Sequence, residues 1–403
     1  MKRETLGNTV TMQSTIREVR AREILDSRGN PTVEVDLQTS LGTFRASVPS
    51  GASTGEYEAV ELRDQDRNRF GGKGVLKAVK NVNEIIRPAL VGEQCSCQIL
   101  IDNKLIALDG TQQKETLGAN AILAASLAAC KAGAAAHQLE YFEYISQLAG
   151  TKEMSLPIPW MNVINGGQHA GNRLQMQEFM VAPVGAENFQ EAMRMGSEVY
   201  HTLRKIIIDK HGPAAASIGD EGGFAPDVED HIEALDLIMD AIEKSGHKGK
   251  FTIGMDVAAS ELCDKEGKYK LYHDRPSLDR SGLLQVYKDC VRDYPISSIE
   301  DPFDENDWDG FIQMSKELGE VIQIVGDDLT ATNPSRIQRA IATNACNALL
   351  LKLNQIGSVS EAIESFKLAR DAGWNVMVSH RSGETEETSI ADFAVGLGSG
   401  QIK

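Results

Sequence analysis

Six short apolar runs in this chain end in a charged or imidazole side chain: FTIGMD at Asp256, ISSIE at Glu300, IQIVGD at Asp327, NALLLK at Lys352, WNVMVSH at His380 and SGQIK at Lys403. They recur every 23 to 44 residues, room for a strand, a loop, a helix and a return loop. Runs that are apolar throughout, rather than alternating, suit parallel strands buried on both faces. In a (β/α)8 barrel the C-terminal strand ends share one mouth, and chemistry sits there. The expected fold is therefore α/β: a TIM-type barrel preceded by a smaller α+β domain.

Composition narrows the partners. The 403 residues carry 41 Lys plus Arg against 58 Asp plus Glu, a net charge of −17. That balance argues against nucleic acid and against anionic membrane surfaces. An anionic substrate would then need a locally positive site. Six scattered cysteines without a CxxC pair read as reduced cytoplasmic thiols. Residues 1–14 are polar and lack the apolar core of a secretory signal. The most apolar stretch, Ala119 to Cys130, is about a dozen residues, too short to cross a bilayer, and reads as a buried helix with no membrane insertion.

The domain reading is a polar extension (1–15), an α+β lid domain (16–150) and a barrel (151–403). Residues 16–48 alternate apolar and polar side chains around the turn-like DSRGNP, as antiparallel strands do. Residues 75–90 and 115–148 read as helices. Between strands and helices lies SGAST, Ser50 to Thr54, whose small residues suit a mobile lid. The boundary falls where LAGTKEMSLPIP gathers Gly and Pro. PWMNVI and QEFMVAP supply barrel strands one and two. The eighth strand exists only if QIK supplies it, and no helix follows, so the chain reads as clipped.

A single Asp after a strand is commonly a helix N-cap. Asp256, Glu300 and Asp327 close three successive strands, with Lys352 closing the next, and capping alone does not produce that series. Carboxylate oxygens in this number suit a hard divalent cation of the magnesium type. Burial after ALLL is expected to push Lys352 down toward neutrality, where it can take a proton. Glu221, in GDEGGFAP, sits on a glycine-rich loop open to a ligand and is suited to be the acid. Ser379, His380, Arg381 and Ser382 form a phosphate grip. His169 in NGGQHAG and Glu178 at strand two share the expected mouth.

DSRGNPTVEV, PSGASTGEYEAVELRD, GANAILA, NVINGG, QEFM, GDEGGFAP, SIEDPF, GDDLTATNP, LLLKLNQIG and SHRSGETEE together resemble the enolase family, from about residue 16 to the last residue. The resemblance implies Mg²⁺-dependent, reversible dehydration of 2-phosphoglycerate to phosphoenolpyruvate in glycolysis by a homodimer. It implies Lys352 as the base at C2, Glu221 as the acid for the C3 hydroxyl and Glu178 as its assistant. Asp256, Glu300 and Asp327 would hold the first Mg²⁺, and Ser53 would help bind a second. His169, Ser379, His380, Arg381 and Ser382 would bind substrate, and Lys403 would meet its carboxylate. Counting these groups leaves the site near −2 without metal and near +2 with two Mg²⁺, so metal should bind first.

Two features depart from the family pattern. About fourteen residues precede the usual start, and the chain stops at Lys403 where the family continues. The expectation is a fragment, or a chain of low activity and stability. Other superfamily dehydratases and racemases carry a Lys-x-Lys base on strand two, where this chain has QEFM. The alternative of a different class is an inactive surface-binding protein.

Overall fold

The computed structural model describes residues 12, 14–52, 55–228 and 230–403. Most of the polar opening segment, and Ser53 with it, lies outside the described residues. The N-terminal strands are β1 (Glu18–Leu25), β2 (Pro31–Thr39) and β3 (Gly42–Ser47), an antiparallel sheet in the order β1-β2-β3. The β1–β2 turn is built by Asp26, whose Oδ1 accepts from the backbone N–H of Arg28 and Asn30, while Gly29 takes φ 77°.

Helices follow: α1 (Gln98–Asp109), α2 (Ala119–His137) and α3 (Tyr141–Ala149). The helix over 75–90 forms as two short α segments around a π turn at Val82–Ile86. The stretch 115–148 is two helices, because Gln138 turns left-handed at φ 57° and ends α2. Helix α1 was not anticipated. Its apolar side chains do not gather on one face, so no 3.6-residue pattern marks it. At 19 residues α2 is longer than its apolar stretch suggested, and long enough to cross a membrane by composition alone. Almost every one of its residues is buried, and it packs on β2 and β3 as the core of this half.

The second sheet has nine strands: β4 (Ile158–Pro159), β5 (Met161–Asn165), β6 (Glu178–Ala182), β7 (Thr252–Asp256), β8 (Ile296–Glu300), β9 (Gln323–Gly326), β10 (Ala348–Leu351), β11 (Asn375–Val378) and β12 (Gly400–Ile402). Their spatial order runs β4-β12-β11-β10-β9-β8-β7-β6-β5. The two ends, β4 and β5, are halves of one extended segment separated only by Trp160, so the sheet wraps into an eight-position barrel. Trp160, Met180, Ala182, Val325, Ala348, Leu350 and Met377 fill its interior.

One strand corrects the all-parallel expectation: β6 is antiparallel to both β5 and β7. The connection from β5 to β6 holds only a short 3₁₀ turn, and without a crossover helix the chain returns as a hairpin. After β6 two successive helices, α4 (Phe189–His211) and α5 (His231–Lys244), carry the chain out and back. Strand β7 then begins at the end of the barrel where β6 stopped. The start of β6 thus lies at the same end as the finish of β7, and Glu178 pairs in register with Asp256. Helices α6 (Arg280–Asp293), α7 (Trp308–Leu318), α8 (Pro334–Thr343) and α9 (Val359–Asp371) follow β7 to β10, the last after a four-residue helix at Leu353–Ile356, and α10 (Ser389–Leu397) precedes β12.

The two halves meet through the start of α9. Its first backbone N–H groups have no partner within the helix. Val359 N–H donates to Ser126 Oγ at 3.1 Å, and Ser360 N–H donates to Asp102 Oδ2 at 2.8 Å. Lys114 Nζ reaches Glu361 at 3.0 Å in the same seam.

Candidate active site

The barrel mouth collects His169, Glu178, Glu221, Asp256, Asp327, Lys352, Ser379, His380, Arg381, Ser382 and Lys403 around one pocket. Glu300 lies just beneath it, against Lys403. Strand ends deliver most of these side chains; Glu221 comes from a loop whose Phe224 N–H donates to the Val163 carbonyl of β5 at 2.9 Å. Left-handed backbone at non-glycine residues recurs in the loops after β7, β8 and β9: Ala258 (φ 47°), Asp301 (φ 40°), Ala331 (φ 48°) and Thr332 (φ 51°). Each such residue costs on the order of 1 kcal/mol, and strain of this kind concentrates at functional sites.

Two ammonium groups organise the acids. Lys403 Nζ lies 2.8 and 2.9 Å from the Glu300 oxygens and 3.1 Å from Asp256 Oδ2. It is also 3.0 Å from Glu178 Oε2, at ion-pair distance but off the hydrogen-bonding direction. Lys352 Nζ donates to Asp327 Oδ2 at 2.5 Å, and Gln355 Nε2 donates to the other oxygen at 2.7 Å. The expected trio of Asp256, Glu300 and Asp327 is thus divided between two lysines.

Lys352 corrects an expectation. Burial does favour its neutral form, but the Asp327 carboxylate outweighs burial and its pKa lies above the ordinary lysine value. Burial likewise opposes the charge on Lys403, and Asp256, Glu178 and Glu300 together hold its pKa well up. Among the acids, burial and then Glu221 push Glu178 up to about 8. Burial and then Asp256 raise Glu300. For Asp256 burial is overcome by Lys403, and its pKa falls. Burial lowers both His169 and His380, the latter to about 4, so both rings are neutral near pH 7.

Sequence reasoning missed Asp301 and Asp328, the second residues of the ED and DD doublets. Asp301 accepts from the backbone N–H of Asp327 at 2.9 Å and of Asp328 at 2.8 Å, which fixes the loop after β9. Ligand oxygens of Asp301, Asp327 and Asp328 lie within 4.8 Å of one another, as do ligand atoms of His169, Glu178 and Glu221. Burial, then neighbouring aspartates, raises Asp301 and Asp328 well above the usual carboxylate range. Glu58 was also missed; it forms a buried ion pair with Arg381 at 2.9 Å. Only the clustering of acids within the quoted motifs could have drawn attention to these three.

Eight acidic side chains (Glu58, Glu178, Glu221, Asp256, Glu300, Asp301, Asp327, Asp328) therefore gather around three fixed cations, Lys352, Arg381 and Lys403, and burial favours the protonated forms of Glu178, Glu300, Asp301 and Asp328. The acid excess is larger than the sequence count suggested. Hard oxygen donors, gathered, buried and incompletely neutralised, fit divalent cations such as Mg²⁺. Among the described residues, buried polar atoms of several pocket-lining side chains have no hydrogen-bond partner: His169 Nδ1, Gln177 Oε1, Glu178 Oε2 and His380 Nε2. His169 Nδ1 is 3.6 Å from Glu221 Oε1 and 3.7 Å from Glu178 Oε1, and Asn162 Nδ2 donates to Glu221 Oε2 at 3.0 Å. Unpaired buried groups facing one pocket mark a place built to receive a polar ligand.

Ser50 to Ala52, the described part of SGAST, dock on the loop after β11. Ser50 and Gly383 exchange backbone hydrogen bonds at 2.8 and 2.9 Å, and Ala52 N–H donates to Ser382 Oγ at 2.9 Å.

Residues 16–145 match the family profile described as "Enolase, N-terminal domain", and residues 153–403 match "Enolase, C-terminal TIM barrel domain". The chain is 58% identical to a protein named "Enolase" from Solanum lycopersicum, over 97% of this chain and 90% of that one. It is 57% identical to an "Enolase" from Eimeria tenella, over 96% of this chain and 91% of that one.

Proposed function

The chain belongs to the enolase family, and we propose that it is a hydro-lyase interconverting 2-phosphoglycerate and phosphoenolpyruvate in glycolysis. The observation that carries this reading is the single pocket holding Lys352 opposite a Glu178–Glu221–His169 group, with a phosphate-type grip beside them. A basic amine and a carboxyl pair on separate elements of one pocket supply the base and the acid that loss of water requires.

Lys352 takes the C2 proton. Burial favours its free amine and Asp327 favours the ammonium, so engagement of Asp327's carboxylate by another group readies the amine. Glu221, oriented by Asn162, donates to the departing C3 hydroxyl, with Glu178 and neutral His169 beside it. Arg381, Ser379, Ser382 and His380 hold the phosphoryl end, and Lys403 meets the substrate carboxylate. Asp256, Glu300 and Asp327 would hold one Mg²⁺, with Ser53 toward a second. When bound, these cations supply positive charge at the carboxylate that becomes more anionic as the C2 proton leaves.

The division of labour is a barrel (151–403) carrying chemistry and an N-terminal domain (16–150) covering its mouth. A cytoplasmic setting is supported by six free thiols, and the homodimer rests on the family resemblance. Ultraviolet appearance of phosphoenolpyruvate from 2-phosphoglycerate, with Mg²⁺ and with chelator, tests the function beside Lys352→Ala. Mg²⁺-dependent turnover that disappears in the variant is expected; turnover that survives Lys352→Ala would remove the assigned base.

A further inference from the structure

Arg381 follows β11 and lies almost wholly buried, and its guanidinium faces Glu58, which is equally buried. The contact is a fork on a fork: Nη1 donates to Glu58 Oε2 at 2.9 Å and Nη2 donates to Oε1 at 3.1 Å. Nη1 also donates to Asn354 Oδ1 at 3.1 Å. Two parallel charge-assisted bonds fix the plane of a guanidinium and not only its position.

Glu58 is itself held from three sides. Its Oε1 accepts from Gly55 N–H at 3.2 Å and from Gln355 Nε2 at 3.4 Å. The next residue's backbone, Ala59 N–H, donates to the Gln355 carbonyl at 2.7 Å. That same Gln355 amide is anchored at Asp327 and at Thr332 Oγ1. A carboxylate so placed in a pocket with an excess of acids does not improve anion attraction by its charge. Its contribution is geometric: it fixes the plane of the Arg381 guanidinium, whose side chain lines the pocket.

We propose that Glu58 is a positioning residue that orients Arg381 for a phosphoryl dianion, a role resting on the substrate class given above. Substrate affinity then depends on Glu58 through Arg381, while the proton-transfer groups Lys352 and Glu221 are untouched.

The test compares the wild-type chain with Glu58→Gln, Arg381→Gln and the double variant, reading KM, kcat and calorimetric binding of inorganic phosphate in the presence of Mg²⁺. In Glu58→Gln, KM and the phosphate dissociation constant should rise about 10- to 100-fold, the worth of one charge-assisted hydrogen bond, with kcat changed far less. The double variant should bind phosphate no more weakly than Arg381→Gln alone. Wild-type phosphate affinity in Glu58→Gln, losses that add in the double variant, or no phosphate binding by the wild-type chain would overturn the proposal. Absence of turnover in the wild type together with weakened phosphate binding in Glu58→Gln would reject the assigned reaction and leave the positioning role standing. Should Glu58→Gln fail to fold, Glu58→Asp carries the test, with an intermediate loss of phosphate affinity expected and none overturning it.

Discussion

Lys403 Nζ stands 2.8 Å from Glu300 Oε1, a contact between residues 103 apart that sit on opposite sides of the barrel mouth. Strand β8 is the fourth barrel position and β12 the eighth, so the lysine side chain spans the opening and meets Asp256 and Glu178 as well. One ammonium thereby compensates three buried carboxylates.

Removing that ammonium leaves the three acids uncompensated. Lys403→Met should lower stability by about 3–5 kcal/mol in chelator, the usual result of breaking a buried ion pair from one side. Excess Mg²⁺ should recover part of the loss, because a cation binding only the folded state stabilises it. Thermal melts with and without Mg²⁺ check both; equal melting of variant and parent in chelator would mean Lys403 does not hold these acids.

Glu221 and Lys352 are assigned to separate steps. Glu221→Gln should slow phosphoenolpyruvate formation by about 10²–10⁴-fold while Lys352 still exchanges the C2 hydrogen. Proton NMR of 2-phosphoglycerate in D₂O follows that exchange. If C2 exchange is lost along with dehydration, the two residues do not divide the work as assigned.

Asp301 orients the Asp327 and Asp328 backbone with its two oxygens. Asp301→Asn replaces one acceptor by a donor facing an N–H. Mg²⁺ affinity measured calorimetrically should fall about 10- to 100-fold, as for other groups that orient ligands from behind. Unchanged affinity would reduce Asp301 to a loop-building residue.

His231, at the start of α5, titrates away from the site. Burial lowers its pKa to about 4, only partly offset by Asp230. It is therefore neutral in the folded chain, whereas the unfolded imidazole protonates near 6.5. The folded state keeps this advantage above pH 6.5 and loses it as pH falls toward 4, by at most about 3 kcal/mol. His231→Gln should flatten that part of the stability profile in denaturant melts at pH 7, 5.5 and 4.5. A parallel decline in both proteins would place the acid sensitivity elsewhere.

The sequence by itself determined which segments are barrel strands and which residue terminates each, because a strand buried on both faces must be apolar until it reaches the mouth. Lys352, Asp256, Glu300, Asp327 and Lys403 were legible for that reason, and so was the hairpin at DSRGNP. The tertiary structure decided what depends on contacts between distant residues. It reversed β6, so that Glu178 reaches the mouth from the start of its strand, beside Asp256. It paired Lys352 with Asp327, which turned the lysine's pKa upward although burial alone would lower it. It also brought Asp301, Asp328 and Glu58 into the same acid-rich mouth. A pattern of apolar residues reports burial along one chain segment; strand direction and the partner of a buried charge are set by whichever segment packs across from it.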